Sequence, residues 1–321
     1  VGAKVDVVIP HRIQDGYGLS LHLLQQAKED GVDTILTCDN GIAAIDEIAW
    51  AKAQKMTVLV TDHHAVPFEE HEGRRTEKKS LADAVVNPHQ QDCRYPYKEL
   101  CGAGVAWNVI RVLYENYDMD KREAEDLLDF VAMATVCDVM SLTGENRILV
   151  KEGLKRIRHT KNIGLQALMQ ACNVQPENIS AYHFGYVLGP CVNATGRLDT
   201  ARHALRLFET GQETEAEEIA RDLVDLNQER KELTLQGVEM AKKLCEEGGY
   251  ENDPVLVLFL PDVHESIAGL IAGRIREMYN RPVFVLTRGE EGVKGSGRST
   301  ENYSMYENCL LYTSPSPRDT R

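Results

Sequence analysis

Residues 57–64 read Thr57-Val58-Leu59-Val60-Thr61-Asp62-His63-His64. Five β-favouring residues run straight into an acid and two imidazoles. The apolar run predicts a buried strand. Ligands of an open α/β sheet sit beyond the carboxyl ends of its strands, so this stretch delivers Asp62, His63 and His64 to the mouth of a site. A carboxylate beside imidazoles suits Mn²⁺, Mg²⁺ or Zn²⁺. The plainer alternative is a strand-end loop with ordinary polar residues.

The flanking sequence supplies the rest of such a sheet. Residues 34–38 (TILTC) predict a strand that ends in Asp39-Asn40-Gly41, and residues 5–10 (VDVVIP) predict a short buried strand. Between them, residues 20–31 predict a helix that Ser20 caps and Gly31 stops. Residues 42–54 predict a second helix, and residues 84–87 one more short strand. Strand–helix–strand alternation with short joins predicts a doubly wound, mostly parallel sheet. Right-handed crossovers then bring Asp39 and the 62–64 triplet to one sheet edge.

Residues 69–80 lack apolar periodicity and predict an exposed loop. Residues 100–117 predict a helix, with Gly102-Ala103-Gly104 allowing close packing at its start. Residues 123–140 form a helix-like run that ends in Cys137-Asp138. Residues 213–247 predict one long helix joining two lobes. Beyond it, strands at 255–260 and 282–287, a helix at 268–279 and a Gly/Ser-rich turn at 294–300 predict a smaller α/β lobe. The fold class is thus α/β, with a doubly wound sheet joined by a long helix to a second α/β domain. The predicted domains are 1–212, the connecting helix 213–248, the second lobe 249–309, and a tail, 310–321, outside the fold. The tail contains Ser314-Pro315-Ser316-Pro317, which breaks regular structure.

The chain has 321 residues, 43% of them hydrophobic and 27% charged. It contains no run of 18 apolar residues that predicts a membrane span, and its start does not read as a signal peptide. Eight cysteines occur without a C-x-x-C pair, which predicts reduced thiols and a cytoplasmic location. The net charge of −14 opposes nucleic-acid binding by the chain as a whole. From Asp262 onward, however, eight acidic residues meet eight Lys and Arg, so the acid excess lies upstream and a local basic groove is compatible with it.

Asp39, the 62–64 triplet and Asp138 offer acids and imidazoles from three element ends. Carboxylates gathered in one place repel, and cations remove that cost. The chain here resembles the DHH phosphoesterase superfamily, and within it the RecJ-type single-strand-specific 5′→3′ exonucleases. The stretches that carry the resemblance are VDVVIPHRIQDGYGLS, TILTCDNGI, VLVTDHH, VVNPH, ATVCDVMSLTGENRILVKEGL, LGPCVNATGRL, VHESIAGLIAGRIREMYNRPVFVL and KGSGRS, in that order over roughly residues 1–309.

The resemblance implies phosphodiester hydrolysis by a two-metal mechanism with Mn²⁺ or Mg²⁺, serving DNA repair and recombination. It implies that Asp39, His63 and Asp138 ligate metal, that Asp62 orients the site, and that His64 faces the scissile phosphate as hydrogen-bond donor or general acid. Arg12, Asn193, Arg197, Ser296 and Arg298 are the implied phosphate contacts; guanidinium forks and glycine-flanked backbone amides suit phosphate oxygens. His264 is a second-lobe candidate whose plainer reading is a packed histidine. The implied partner is single-stranded DNA with a 5′ end, with a single-strand-binding protein and a helicase as associates and no membrane.

Two departures accompany the resemblance. The family's Asp-x-Asp segment at the end of a first strand is expected just before Val1, and the family usually has Arg at the position of Cys191. On that basis the chain is expected to be a fragment lacking both ends and inactive by itself. Alternatives within the superfamily are an oligonucleotide or phosphoadenosine phosphatase and a cyclic-dinucleotide phosphodiesterase. An alternative of another class is a non-catalytic nucleic-acid-binding relative, like the inactive replication-helicase members.

Overall fold

The computed structural model describes residues 3–10, 18–71, 74–198, 201–289 and 292–305. Arg12 and the 310–321 tail lie outside them. The chain divides into two units, Val1–Val224 and Asp225–Arg321.

The first unit begins with α1 (Leu21–Glu29), β1 (Thr34–Cys38), α2 (Ile45–Ala53) and β2 (Thr57–Thr61). It continues through β3 (Phe68–His71), β4 (Arg74–Glu77) and β5 (Ala84–Val86). Ser20 caps α1, its side chain accepting from the Leu23 N–H. β1, β2 and β5 form a parallel sheet in the order β1-β2-β5, with Thr37 opposite Val60 and Thr61 opposite Val86. Val58 and Val60 of the opening stretch are buried with Leu24, Ile48, Ala51 and Met56 under α1 and α2. The period-2 pattern of β2 therefore puts its apolar side chains into a small core and carries its end out to the sheet edge.

Two local expectations fail in this unit. Residues 5–10 form no strand, and Val5, Val7 and Val8 are exposed. A β-branched run becomes a strand only against a ladder partner, and here the Arg202 guanidinium donates to Val7 O instead. The predicted loop at 69–80 holds the antiparallel hairpin β3–β4, in which Glu69 pairs with Thr76 and Glu70 with Arg75. A two-stranded ribbon needs no apolar face to form its ladder, so periodicity carried no signal for it.

The remainder of the first unit is helical: α3 (Gly102–Asn116), α4 (Lys121–Asp126), α5 (Leu128–Cys137), α6 (Gly144–Arg156), α7 (Ile163–Ala171), α8 (Ala181–His183), α9 (Gly189–Leu198) and α10 (Ala201–Glu209). A π turn, Phe184–Leu188, joins α8 to α9. The larger core lies here, around Leu165, Leu168, Phe184, Leu188 and Leu207, closed by Ala216, Ala220 and Leu223. The last three belong to α11 (Glu213–Gly248), a single helix.

The second unit has its own core. Val238, Ala241 and Cys245 of α11 pack with β6 (Leu256–Phe259), α12 (Glu265–Tyr279) and β7 (Val283–Gly289). The predicted turn at 294–300 is largely strand β8 (Gly292–Arg298), antiparallel to β7. Its glycines are spacers. A Cβ on Gly295 would fall 2.5 Å from Leu286 Cδ2, and one on Gly297 3.0 Å from Phe284 Cε1.

A tight helix contact of the first unit gives a stability test. A Cβ on Gly153 of α6 would lie 2.3 Å from both Ala132 Cβ and Leu128 O of α5. Gly153→Ala is expected to lower stability by about 1–3 kcal/mol, read as a lower midpoint in chemical unfolding. Gly211→Ala, where a Cβ meets nothing within 4 Å, is expected to leave the midpoint unchanged or raise it slightly.

Candidate metal centre

The ladder of the parallel sheet runs past its strands into the site. Asp39 N–H donates to Thr61 O at 3.0 Å and Asp62 N–H to Val86 O at 3.1 Å. Both acids therefore stand at carboxyl ends of adjacent strands. Asp39 has φ +64° and Gly41 φ +105°, so the Asp-Asn-Gly turn doubles back at once. Thr37 Oγ1 donates to Asn40 O at 2.7 Å, and a Cβ on Gly41 would meet Thr37 Oγ1 at 2.7 Å.

Asp62 is buried, with 1% exposure, and its oxygens are consumed inside the loop. Oδ2 accepts from Ile42 N–H at 2.9 Å. Oδ1 accepts from His63 N–H at 2.7 Å and His64 N–H at 3.2 Å, and lies 2.7 Å from His64 Nδ1. Burial pushes this carboxyl up, but the hydrogen bonds from Ile42, His64 and His63 outweigh it and hold Asp62 below the usual carboxylate range. Asn87 ties the next turn down, donating from Nδ2 to His64 O at 2.9 Å.

The two imidazoles diverge. His64 is exposed, while the His63 ring is buried and turned towards two carboxylates. His63 Nε2 lies 3.0 Å from Asp39 Oδ1 and 3.4 Å from Asp138 Oδ2. These contacts are ion-pair contacts, and Nε2 makes no hydrogen bond of good geometry among the described residues. Facing Asp39 comes first among the influences on this ring and raises it above the ordinary imidazole range, against burial; Asp138 and Asp62 add to the rise. Burial pushes the Asp138 carboxyl up, Asp39 adds to that, and His63 opposes it.

Asp138 arrives from the helical side as the C-terminal cap of α5, its N–H donating to Ala134 O at 2.9 Å. The next residue, Val139, has φ +56° and is exposed. α3 bridges the two halves of the site. Cys101 caps α3 and its Sγ lies 3.3 Å from Thr135 Oγ1 on α5. Gly102 presses on Asp39, where a Cβ would come 2.2 Å from Oδ1 and 2.5 Å from Cγ.

Ligand atoms of Asp39, His63 and His64 all lie within 4.8 Å of one another, with Asp138 against His63. Two hard carboxylates converging on an orphaned imidazole nitrogen fit a divalent cation such as Mn²⁺ or Mg²⁺. These residues, together with Asp62, come together as the sequence reading grouped them. Of the remaining candidates in the first unit, Arg12 lies outside the described residues and the other two belong to α9. Asn193 is exposed on α9, and Arg197 lies further along the same helix. Cys191, between them and the π turn, is buried, its Sγ donating to Val187 O at 3.2 Å.

In the second unit, Ser296 and Arg298 stand on β8 over the small-residue side of α12. A Cβ on Gly269 would lie 2.7 Å from Ser296 Oγ and 2.8 Å from Arg298 Nη2. Arg298 Nη1 donates to Gly297 O at 2.8 Å. His264 is the N-cap of α12, its Nδ1 accepting from Ser266 N–H at 3.3 Å. Sequence reasoning missed Gly102 and Asn87 as supports of the cluster. The small residue at a helix start was visible, but its contact with Asp39 is long-range.

Asp62→Ala would strand the Ile42, His63 and His64 amides. It is expected to cost about 3 kcal/mol, since each unsatisfied buried group costs about 1–3 kcal/mol; a fall in the chemical-unfolding midpoint measures this. Gly102→Ala is expected to displace Asp39 and weaken Mn²⁺ binding by about tenfold, the scale at which supports of a metal site act, as read by titration against the ion's EPR signal.

Comparison with known proteins places this geometry. A family model described as the DHH family, N-terminal domain, matches residues 1–135. The single-stranded-DNA-specific exonuclease RecJ of Haemophilus influenzae is 37% identical over 316 residues, covering 94% of this chain and 53% of the relative. The protein of that name from Escherichia coli is 35% identical over 318 residues, covering 94% of this chain and 53% of the relative. The chain thus spans about half the length of the curated relatives it matches. A crystal structure of exonuclease RecJ bound to manganese superposes with a TM-score of 0.79 at 32% identity, covering 96% of this chain and 74% of that one. The RecJ of Thermus thermophilus in complex with Mn²⁺ gives a TM-score of 0.75 at 31% identity, covering 90% of this chain and 41% of that one. With its parallel sheet, its triplet at the end of β2 and this likeness in sequence and fold, the chain belongs to the RecJ family of DHH proteins.

Proposed function

We propose that the protein is a metal-dependent phosphodiesterase that shortens single-stranded DNA from its 5′ end. The observation that carries the reading is the orphaned His63 Nε2, buried and aimed between Asp39 and Asp138. His63 Nε2 lies 3.0 Å from one carboxylate and 3.4 Å from the other without a hydrogen bond among the described residues, and carboxylates gathered about one imidazole form a donor set whose mutual repulsion a divalent cation offsets.

Asp39, His63 and Asp138 would hold Mn²⁺ or Mg²⁺, the ions in the solved relatives. When bound, such cations supply an activated water and offset the charge that develops on phosphorus and on the leaving oxygen. The chain's own residues do the positioning. Asp62 fixes the His63–His64 turn and occupies the Nδ1 side of His64. The other ring nitrogen of His64 is then the one left to face a phosphate oxygen, as hydrogen-bond donor or as acid to the departing oxygen. Asn193 and Arg197 on α9, Arg12, and Ser296 with Arg298 on β8 are the residues proposed to hold further phosphates, including a 5′-terminal one. Single strands arise in a cell when duplex is opened, so a helicase and a single-strand-binding protein are the proposed associates, in the cytoplasm.

Two measurements test the reading. Mn²⁺ is expected to bind the 321-residue chain, and His63→Ala to weaken that binding by about tenfold or more. In Mn²⁺ buffer, the 321-residue chain by itself is expected to hydrolyse little or nothing, whereas a protein of the relatives' length that contains it is expected to hydrolyse a long 5′-phosphorylated single strand in preference to a dinucleotide, with Asp39→Ala and His63→Ala abolishing hydrolysis. Preference for the dinucleotide would support a small-oligonucleotide phosphodiesterase instead. Absence of Mn²⁺ binding would support the non-catalytic relative.

A further inference from the structure

The helical stretch seated on the end of α5 carries an exposed aromatic pair that the proposed reaction does not use. Tyr182 and Tyr186 are one turn apart, on α8 and the π turn. Their rings stack with centroids 5.1 Å apart and planes at 25°, yet 63% of Tyr182 and 72% of Tyr186 is exposed. His183 meets Tyr182 edge-on at 5.8 Å and is itself held by Ser180, 2.9 Å from Oγ to Nδ1. Phe184 and Leu188, on the opposite side of the same turn, are wholly buried. The pair is therefore presented to solvent from a fixed base.

That base is the end of the helix that supplies Asp138. Cys137 Sγ donates to Phe184 O at 3.4 Å. A Cβ on Gly185 would lie 3.4 Å from Val136 Cγ1, and one on Gly189 would lie 2.3 Å from Cys137 Sγ. The π turn thus rests on Val136 and Cys137, the two residues before Asp138. Such wide turns, inserted in a helix, recur at functional sites.

We propose that Tyr182 and Tyr186 form a stacking platform for unpaired nucleobases of a single strand engaged at the Asp39–His63–Asp138 cluster; this rests on the phosphodiesterase reading above. Bases out of a duplex have bare π faces, and aromatic side chains accept them regardless of sequence. Bases within a duplex have those faces covered by their neighbours, so the platform favours single strands. Nucleobases suit the patch better than a protein partner does. Two rings offer a small fraction of the roughly 800 Å² per side that a stable protein interface needs, but they match the size of one or two bases.

The test compares binding of two 3′-fluorescein-labelled strands of equal length, one carrying bases and one made of abasic sites, by anisotropy without added divalent metal. The wild-type 321-residue chain is expected to prefer the base-bearing strand by about tenfold, the scale of one good stacking contact. Tyr182→Ala/Tyr186→Ala is expected to reduce that ratio to near one, and Tyr182→Phe/Tyr186→Phe to keep it. If the double alanine variant keeps the preference, the platform is wrong and the phosphodiesterase reading stands. Equal weakening towards both strands also overturns it, because a strand without bases has no stacking to lose. If the wild-type chain binds neither strand and takes up no Mn²⁺, the phosphodiesterase reading falls and the platform with it.

Discussion

The Asp62 carboxylate is the contact on which the site depends. It is buried at the end of β2 and gathers amide donors from three places in sequence: Ile42 across the turn after β1, and His63 and His64 next to it. Two consecutive amides converging on one oxygen force a tight turn, and a tight turn makes successive side chains diverge. That is why one imidazole goes inward and its neighbour outward. The acid resists its own burial only because the donors compensate for lost water. Its charge serves the backbone, so it is not available as an open ligand in the way Asp39 and Asp138 are.

Those two acids are positioned by a different device. Asp39 itself, and Val139 just after Asp138, have left-handed backbone, a conformation that costs free energy for residues with side chains. The turns are held against that cost by neighbours. Thr37 and Gly41 shape the first, and the last turn of α5 anchors the second. α3 locks the two together, with Gly102 against Asp39 and Cys101 against Thr135. A bulkier residue at the start of α3 would separate the sheet edge from α5, so the distance between the carboxylates is set by a glycine that carries no chemistry.

This explains what could be read from sequence. β1 and β2 were legible because their apolar runs are buried strands, and Asp39 and Asp62 were legible as the residues that follow them. The pairing of Asp138 with His63 was not, because it joins a helix end to a strand end through packing that leaves no local pattern. It entered through the resemblance of ordered stretches. The strand expected at residues 5–10 failed because strand propensity describes a fit to neighbours. β8 failed in the other direction: Gly295 and Gly297 read as a turn, although they are the residues small enough to pass Leu286 and Phe284. In both cases local composition was read without the neighbour that decides it.

The same ambiguity governs the stretch from Tyr182 to Leu198. Its glycines suggest close approach of backbone to phosphate, but Gly185 and Gly189 face Val136 and Cys137 and serve to seat the helix on α5. Cys191, where the resemblance led to an expectation of Arg, is buried and donates to Val187 O. A guanidinium there would have to leave the core to reach a phosphate, whereas a thiol stays within it. Exposed positions of this stretch recur instead at Tyr182, Tyr186 and Asn193. Under the proposed function, aromatic faces along this stretch add to the phosphate contacts proposed for Asn193 and Arg197. Stacking carries no charge, so under that reading the aromatic faces add affinity for a single strand without adding cations to a chain with a net charge of −14.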